Sequence, residues 1–388
     1  MELISTKNTD VSDMKKRISG LVRYDDGFEE EYWYEYPSSY SVSQSGNPWL
    51  VALLPVAATI GEDIRLSLPV DPRLLDGAKD ILRIWSSWYP SMHEILIIPE
   101  NRTKTIDTTP SGSAAFFSSG IDAFYTVYKK PRAKFRILIH GFDLSISKQK
   151  AFNEHCDRIS KITDELGDAL VPVATNLRQT RWNQALWQQV SHGSALASIA
   201  LLFERHFKEV FIPSSHGNYA RLGSWGSHPL SDPLFSTSKT SLIHDGDGIN
   251  RFDKTLFLGQ YDLVLRNLHV CIRGKDAKGQ DETNCSHCEK CYRTMIALEL
   301  DNKLDQSILF DKSKFNIADI KFAYVTNKGT ETDYVIMETY AKEKGRDDIA
   351  DGIRKCIRRS KVITLLTHLE NTPLLWRIPA RLIRNSIY

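Results

Sequence analysis

Four of the six cysteines lie close together, in the segment VCIRGKDAKGQDETNCSHCEKC. They are Cys271, Cys285, Cys288 and Cys291, and the last three form two overlapping C-x-x-C steps. Four thiolates at this spacing can converge tetrahedrally on one metal ion. We expect a structural zinc site here, with an iron–sulfur cluster or redox chemistry as the alternatives.

A second segment with chemical potential is FFSSGIDAFYT, residues 116–126. The pattern predicts a strand that ends at Phe117 and a helix that begins at Ile121. Three small residues lie between them: Ser118, Ser119 and Gly120. The unpaired N–H groups and positive dipole end of a helix start suit a phosphate, and Asp122 can bind the magnesium of a polyphosphate. A simple capped turn is the alternative. The segment lacks both G-x-G-x-x-G and G-x-x-x-x-G-K-[ST], which disfavours a nicotinamide enzyme or a P-loop NTPase.

Cations for such a site are available in HDGDGINRFDK, which carries Arg251 and Lys254. These side chains can neutralise pyrophosphate charge in a transition state, although solvated surface charge is the alternative. The segment HGSALASIAL places Gly193 and Ser194 at another predicted helix start, where N–H groups are again expected to face outward.

The segment SWGSHPLSDPLFS has two X-Pro steps and carries His228 and Asp232 between small polar residues. Prolines rigidify a loop, and a rigid loop can hold side chains at fixed positions. We interpret this loop either as part of a site or as a structural turn. His192, at the start of the neighbouring helix-like segment, is interpreted as a capping histidine rather than a ligand.

The elements that position these residues alternate along the middle of the chain. Strand-like AAFF, FRILIHGF, ALVPVATN and EVFIPSS are separated by helix-like segments. Strands separated by helices of this length predict an α/β fold with a parallel sheet flanked by helices. Ligands of such sheets bind outside the carboxyl ends of the strands, which is where the segment at 116–126 is expected to lie.

The pattern predicts three regions. Residues 1–105 read as an N-terminal α+β accessory domain, with a hairpin around Asp25-Asp26-Gly27 and a polar closing stretch, NRTKTIDTTPSGS. Residues 106–300 form the α/β domain with the zinc site. Residues 301–388 read as a helical C-terminal region.

Composition excludes several classes of protein. The 388 residues are 41% hydrophobic and 25% charged, as in folded globular domains. The longest apolar run is broken by Pro55 and falls short of the roughly 20 residues of a spanning helix. The first residues lack the pattern of a signal or transit peptide. We therefore predict a cytoplasmic protein with no membrane contact. A net charge of +2 disfavours nucleic acid as a partner, despite the basic stretches GIRKCIRRSK and WRIPARLIRN.

The segment SSGIDA, placed after a strand and before a helix, resembles the S-G-G-x-D-S signature of the PP-loop ATP pyrophosphatases. Members of that superfamily split ATP into AMP and pyrophosphate to adenylate a substrate. Ser119 replaces a glycine of the signature, and Ala123 replaces a serine. Together with NCSHCEKCYRTMIALE, the segment is similar to the 7-cyano-7-deazaguanine synthase (QueC) family, in which a four-cysteine zinc site braces the active-site loops.

The resemblance covers about residues 112–300. It implies a PP-loop fold, of the adenine nucleotide alpha hydrolase type, and an ATP-dependent C–N ligase that requires Mg²⁺ and Zn²⁺. The implied ATP-binding residues are Ser118, Ser119, Gly120, Asp122, His140, Gly141, Gly193 and Ser194. The implied catalytic residues are Asp122, Arg251 and Lys254. The implied substrate is a carboxylate of the 7-deazaguanine type, which adenylation activates for attack by a nitrogen nucleophile to give an amide or nitrile.

The regions outside the resemblance make the chain similar to the longer QueC-like proteins, some of which occur in bacterial anti-phage defence systems. Their extra mass raises the hypothesis that the nitrogen nucleophile belongs to a protein partner bound by the accessory domain. Two alternatives come from other classes. One is a PP-loop nucleobase thiolase, and the other is a non-catalytic scaffold that binds nucleotide and a partner protein.

Overall fold

The computed structural model describes residues 1–99, 109–215, 217–219, 222–271, 284–325 and 327–369. These residues form two compact units. The first unit comprises Met1–Phe117, Thr126–Ser214 and Gly223–Asp245. The second unit comprises the described parts of Ser118–Tyr125, Ser215–Leu222 and Gly246–Tyr388. Most of the polar closing stretch, residues 101–108, and the basic stretch WRIPARLIRN lie outside the described residues.

The first unit is built on one mixed sheet, which has ten strands among the described residues. The strands are β1 (Glu2–Ser12), β2 (Lys15–Arg23), β3 (Glu29–Pro37), β4 (Ile64–Leu66), β5 (Ile97–Pro99), β6 (Gly112–Phe116), β7 (Phe135–His140), β8 (Ala169–Thr175), β9 (Phe207–Pro213) and β10 (Ser241–Asp245). Their order in the sheet is β10-β9-β6-β7-β8-β3-β2-β1-β4-β5. The five strands from β10 to β8 are mutually parallel, as the alternating sequence predicts.

The N-terminal strands continue this sheet. β3 pairs antiparallel with β8 through Tyr34 opposite Thr175 and Glu35 opposite Ala174. β2 and β1 follow antiparallel, and β4 and β5 then join parallel to β1. The boundaries of the compact units therefore differ from those of the three regions predicted from the sequence, because the strands of residues 1–105 share a sheet with later strands.

Helices cover the sheet of the first unit. They are α1 (Asn47–Ile60), α2 (Pro72–Trp88), the end of α3 (Ile121–Lys129), α4 (Gln149–Leu166) and α5 (His192–Leu202). Helix α1 is buried along most of its length and shares one apolar core with α5. The indole N–H of Trp182 donates to the carbonyl of Ala52 in α1, at 2.6 Å. The N-terminal segment and the α/β segment thus bury one common core, as an apolar helix requires.

The second unit is helical in its described part. Its helices are the first turns of α3, then α6 (Arg251–Leu258), α7 (Asp262–Asn267), α8 (Glu289–Leu300), α9 (Lys328–Glu343) and α10 (Asp347–Leu369). An apolar cluster that includes Phe252, Ile296, Tyr334 and Ile353 packs these helices together. Within the described residues, no helix has both the length and the apolar composition that crossing a membrane requires.

Candidate functional site

The four clustered cysteines converge in the second unit. All four sulfur atoms lie within 4.8 Å of one another, and all four residues are buried. The Sγ atoms of Cys271 and Cys288 are 3.8 Å apart, as are those of Cys285 and Cys291. Four buried sulfurs at these separations can hold a metal ion such as zinc. The predicted four-cysteine cluster is thereby confirmed.

An asparagine that the sequence analysis missed brings the two cysteine segments together. The side-chain oxygen of Asn284 accepts from the backbone N–H groups of Val270 and Cys271, at 2.8 and 3.2 Å. Its amide nitrogen donates to the carbonyl of Leu268, at 2.9 Å. Asn284 is buried and directly precedes Cys285, so these three bonds fix one cysteine segment against the other. A buried amide with three bonds of this kind is a strong local constraint.

The predicted phosphate loop lies between β6 and α3. Ser119 has a φ of 58°, in the left-handed region that favours glycine. Its carbonyl accepts from the N–H of His269, at 3.0 Å. A β-carbon added at Gly120 would meet only Ser118 Oγ at 3.6 Å and the His269 carbonyl at 3.8 Å, which are ordinary contacts. The packing of the chain itself therefore does not require glycine at position 120.

The structure brings the three predicted catalytic residues together in the second unit. Asp122, in the first turn of α3, forms ion pairs with two residues of α6. Its Oδ2 lies 2.5 Å from Arg251 Nη2, and its Oδ1 lies 3.2 Å from Lys254 Nζ. The side chain of Lys254 is only 1% exposed, whereas those of Asp122 and Arg251 are 15% and 27% exposed. The α6 start is fixed by Asn250, whose side chain caps the N–H of Asp253.

Charge dominates this cluster. Burial acts to raise the pKa of Asp122, but the charges of Arg251 and Lys254 outweigh it and lower the pKa to about 2. The charge of Asp122 in turn raises the pKa of Arg251. Asp122 is therefore a carboxylate throughout the neutral pH range. A small cavity next to the cluster is lined by residues that include Arg251, Ile121 and Arg293.

Arg293 and Asp333 continue the charged network. Arg293 Nη1 lies 2.6 Å from Asp333 Oδ2, and both side chains are about nine-tenths buried. Burial raises the pKa of Asp333 despite the opposing charges of Arg293 and Arg251. Helix α9, which carries Asp333, is therefore coupled electrostatically to the residue that binds Asp122.

His140 and Gly141 lie at the carboxyl end of β7 in the first unit. The His140 ring is buried and stacks on Phe152 with the ring centroids 4.3 Å apart. Its Nε2 is 2.9 Å from the carbonyl of Ser145, so Nε2 carries the proton and Nδ1 is an acceptor. Nδ1 is buried and has no hydrogen-bond partner in the described part of the chain. Burial lowers the pKa of this histidine.

Three glycine and serine positions in the first unit serve the fold. Gly141 has a φ of 105°, and a β-carbon there would overlap the carbonyl of Thr175. The N–H of Gly193 donates to the carbonyl of Gly226 at 2.8 Å, and the Ser194 hydroxyl donates to a backbone carbonyl of α1. The expectation of an outward-facing N–H group is wrong for Gly193, because its N–H donates to the carbonyl of Gly226.

The first unit also contains a serine–histidine–aspartate chain that the sequence analysis missed in part. His244 Nδ1 is 2.8 Å from Asp232 Oδ2, and its Nε2 is 2.7 Å from Ser214 Oγ. Asp232 also accepts from the hydroxyl of Ser227 and the N–H of His228, at 2.6 and 3.2 Å. These hydrogen bonds connect the ends of β9 and β10 to the proline-containing loop. They involve five residues: Ser214, Ser227, His228, Asp232 and His244. Ser214 and Asp232 are fully buried, so this chain acts as a fixed internal support of the loop.

Comparison with known proteins adds no family assignment. No family model matches the sequence, and neither a curated protein nor a solved structure matches it.

Proposed function

We propose that the protein is a PP-loop enzyme similar to QueC, which uses ATP to adenylate the carboxylate of a 7-deazaguanine-type substrate. The observation that carries the proposal is the meeting of Asp122, Arg251 and Lys254 at the start of α3. These three residues, which the sequence analysis named in two distant segments, form one charged cluster directly after a small-residue loop. The same unit holds the four-cysteine cluster, which is the second half of the resemblance.

The altered residues of the loop are compatible with this proposal. Ser119 keeps the positive φ that a glycine adopts most readily, so the backbone path of the loop is one that glycine would also follow. Ala123 is buried, so its methyl group packs within the protein. Helix geometry leaves the N–H groups of Ile121, Asp122 and Ala123 without intrahelical acceptors, and these groups would donate to phosphate oxygens.

In the proposed reaction, the substrate carboxylate attacks the α-phosphate of ATP and pyrophosphate leaves. Arg251 and Lys254 would stabilise the charge that builds on the leaving pyrophosphate. The carboxylate of Asp122 is a suitable oxygen ligand for Mg²⁺, which when bound neutralises phosphate charge. A nitrogen nucleophile then displaces AMP from the acyl-adenylate and forms an amide. The cysteine cluster has the sulfur ligand set that a structural zinc ion requires.

His140 provides separate support for a heterocyclic ligand. Its buried Nδ1 accepts no hydrogen bond from the described residues, and such an orphaned acceptor costs free energy unless a ligand or water satisfies it. The exocyclic amine of a purine-type base is a donor of the required kind.

Turnover tests the proposal. The purified protein is incubated with ATP, Mg²⁺, ammonia and 7-carboxy-7-deazaguanine, and the products are identified by mass spectrometry. We expect AMP together with an amide or nitrile from the wild-type protein and from Asp253→Ala, a nearby exposed carboxylate outside the cluster. Asp122→Ala is expected to form neither product. If AMP is absent with ammonia and with a protein amine as nucleophile, the adenylating function is wrong.

The protein-amine hypothesis is tested separately by the intact mass of a co-expressed partner. A partner that never gains a deazaguanine adduct contradicts it. The thiolase alternative requires a reactive cysteine, and burial raises the pKa of Cys156 to about 11, which keeps that thiol protonated. Zinc rather than iron in a metal analysis would disfavour the thiolase further. A scaffold without turnover would bind ATP and release no AMP.

A further inference from the structure

Arg178 lies beyond the carboxyl ends of two parallel strands in the first unit. It follows β8, and its Nη1 donates to the carbonyl of Phe142, which follows the neighbouring strand β7, at 2.8 Å. Its guanidinium lies over the indole of Trp187, 4.6 Å from the ring centroid. A hydrogen bond and a stacking contact therefore fix the plane of this guanidinium at the edge where open α/β sheets bind ligands.

Arg178 forms no ion pair within the part of the chain that the structure describes, and only its Nη1 has a hydrogen-bond partner there. Three other arginines of the first unit also lie over aromatic rings, and each has a carboxylate partner. These pairs are Arg17 with Glu35, Arg132 with Glu209 and Arg181 with Asp26. Arg178 is half-buried, and a guanidinium that loses water without gaining a counter-charge is unfavourable. An anionic ligand would supply the missing partner.

His192 provides a second polar group at the same place. Its imidazole is half-buried and lies against Trp187, with the ring centroids 4.9 Å apart. The ring forms no hydrogen bond with any described residue, so it does not cap α5 as the sequence analysis interpreted it. Burial lowers the pKa of His192, and the charge of Arg178 acts in the same direction. The neutral ring offers a ligand one N–H donor and one acceptor nitrogen.

The neighbouring charges favour a ligand with a single negative charge. The charges of Asp143 and Asp232 both act on His192 and oppose the lowering of its pKa. Asp232 is held by His244, at 2.8 Å, whereas the side chain of Asp143 is exposed. A doubly charged phosphate would meet repulsion from both carboxylates. A ligand carboxylate carries one charge, and it fits the Nε and Nη2 edge of Arg178 with two parallel hydrogen bonds.

We propose that the first unit contains a binding site for a small aromatic carboxylate. The carboxylate of the ligand pairs with Arg178, and His192 forms a hydrogen bond with the ligand. Trp187 contacts Phe142, with the ring centroids 5.0 Å apart, and also contacts the His192 ring, so the guanidinium lies among aromatic side chains. Such surroundings favour a flat apolar body on the ligand. This inference goes beyond the proposed function, because it concerns the first unit alone and requires neither ATP nor turnover.

The test is the binding of indole-3-carboxylate, measured by calorimetry on the full chain without nucleotide. Indole-3-carboxamide has nearly the same shape and no charge, and the wild-type protein should bind it at least about tenfold more weakly. Arg178→Gln should weaken binding of the carboxylate at least about tenfold and change binding of the amide less than about twofold. Arg17→Gln is the matched control, because Arg17 lies over Trp33 but already pairs with Glu35. It should behave as wild type.

A thermal measurement provides the second readout. Indole-3-carboxylate should raise Tm of the wild-type protein and of Arg17→Gln, but not of Arg178→Gln. His192→Ala should weaken binding of the carboxylate at least about threefold, because one hydrogen bond is lost. If Arg178→Gln does not fold, Arg178→Lys replaces it in both measurements. Lysine keeps the charge but lacks the planar fork, so its affinity for the carboxylate should fall at least about threefold below that of wild type.

Three results would overturn the site: wild type binds neither indole at about 10 mM, it binds both alike, or the Arg178 variant binds the carboxylate as wild type does. Tighter binding of inorganic phosphate than of indole-3-carboxylate would overturn the aromatic carboxylate as the class of ligand. AMP formation is measured separately, and its presence or absence bears only on the proposed function.

Discussion

Asp122 and Asp168 each bind one arginine and one lysine, but the cation that is buried is a different residue type in each set. In the Asp168 set the arginine is buried, since Arg136 is 1% exposed, and its lysine partner lies largely in solvent. In the Asp122 set the lysine is buried and Arg251 reaches solvent. The pKa of Arg136 is lowered by burial, whereas the pKa of Arg251 is raised by the charge of Asp122.

The difference shows that position in the fold, and not the set of side chains, separates a structural ion pair from a candidate site. Asp168 and Arg136 join the amino ends of two adjacent parallel strands, where α/β sheets bear no ligand. Asp122 follows the carboxyl end of β6, at a helix start whose first N–H groups have no acceptor within the helix. Identical measurements on the two sets can therefore distinguish a structural ion pair from a ligand site.

The largest effect is expected from removal of the metal that the cysteines would hold. Structural zinc sites contribute on the order of 10 kcal/mol, so strong chelation or Cys291→Ser should unfold the segment around α8. Hydrogen exchange should show loss of protection in Glu289–Leu300 while β7 and β8, which carry the Asp168 set, remain protected. Cys156→Ser, outside the cluster, serves as the control. Unchanged protection around α8 would show that the cysteines pack without a metal.

The next effect is the cost of neutralising each aspartate. Asp168→Asn leaves the buried Arg136 uncompensated and should lower the free energy of unfolding by about 3 to 5 kcal/mol. Asp122→Asn should lower the free energy of unfolding by less, because water can solvate part of Arg251 and the buried Lys254 has an interaction besides the one with Asp122. Urea unfolding of the two variants measures both values. A larger cost at Asp122 would mean that its ion pairs are mainly structural.

A smaller effect is expected from pH. The pKa of Asp122 falls from an ordinary value of 3.8 to about 2 in the folded protein. The unfolded state then binds more protons between these values, so stability rises with pH through this window and is lost as pH falls towards 2. The contribution is about 2 kcal/mol. The stability difference between wild type and Asp122→Asn should therefore shrink from pH 5 to pH 2. A constant difference would contradict the ion pairing.

The smallest effect concerns a carboxylate that forms no ion pair within the part of the chain that the structure describes. Glu204 is buried and accepts hydrogen bonds from Ser43, Ser45 and Asn47. Burial raises its pKa, and these bonds offset the shift only in part. The folded state then binds more protons, so stability falls as pH rises above the ordinary glutamate range. The free energy of unfolding of Glu204→Gln should therefore rise relative to that of wild type as pH increases, by less than about 1 kcal/mol. A trend in the same direction as for Asp122 would overturn this assignment.

Features encoded by short segments could be predicted from the sequence. The strands that became β6 to β9 were predicted from apolar runs between helix-like segments, and the mixed α/β architecture with a largely parallel sheet is confirmed. The cysteine cluster was predicted because ligand spacing is itself local. The proximity of Asp122 to Arg251 and Lys254 also agrees with the sequence analysis, although their roles stay a prediction.

Features that depend on distant partners could not be predicted. Asn284 carries no special signal, because its three bonds reach back to residues 268–271. Ser214 and His244 meet only because β9 and β10 are neighbours, and Gly193 is required by the carboxylate of Asp232, against which a β-carbon would collide. In each case tertiary packing decides the role of a residue whose local pattern is ordinary.

The pairing of β3 with β8 has a consequence for how the chain reaches this state. Tyr34 lies opposite Thr175, so about 140 residues must be synthesised before the free edge of β3 finds its neighbour. Contacts between such distant residues slow folding, and an unpaired strand edge can pair with the wrong chain in the meantime. We expect β1, β2 and β3 to pair with one another first and to remain without their neighbour until β8 leaves the ribosome. The slow step in refolding should then be the pairing of β3 with β8.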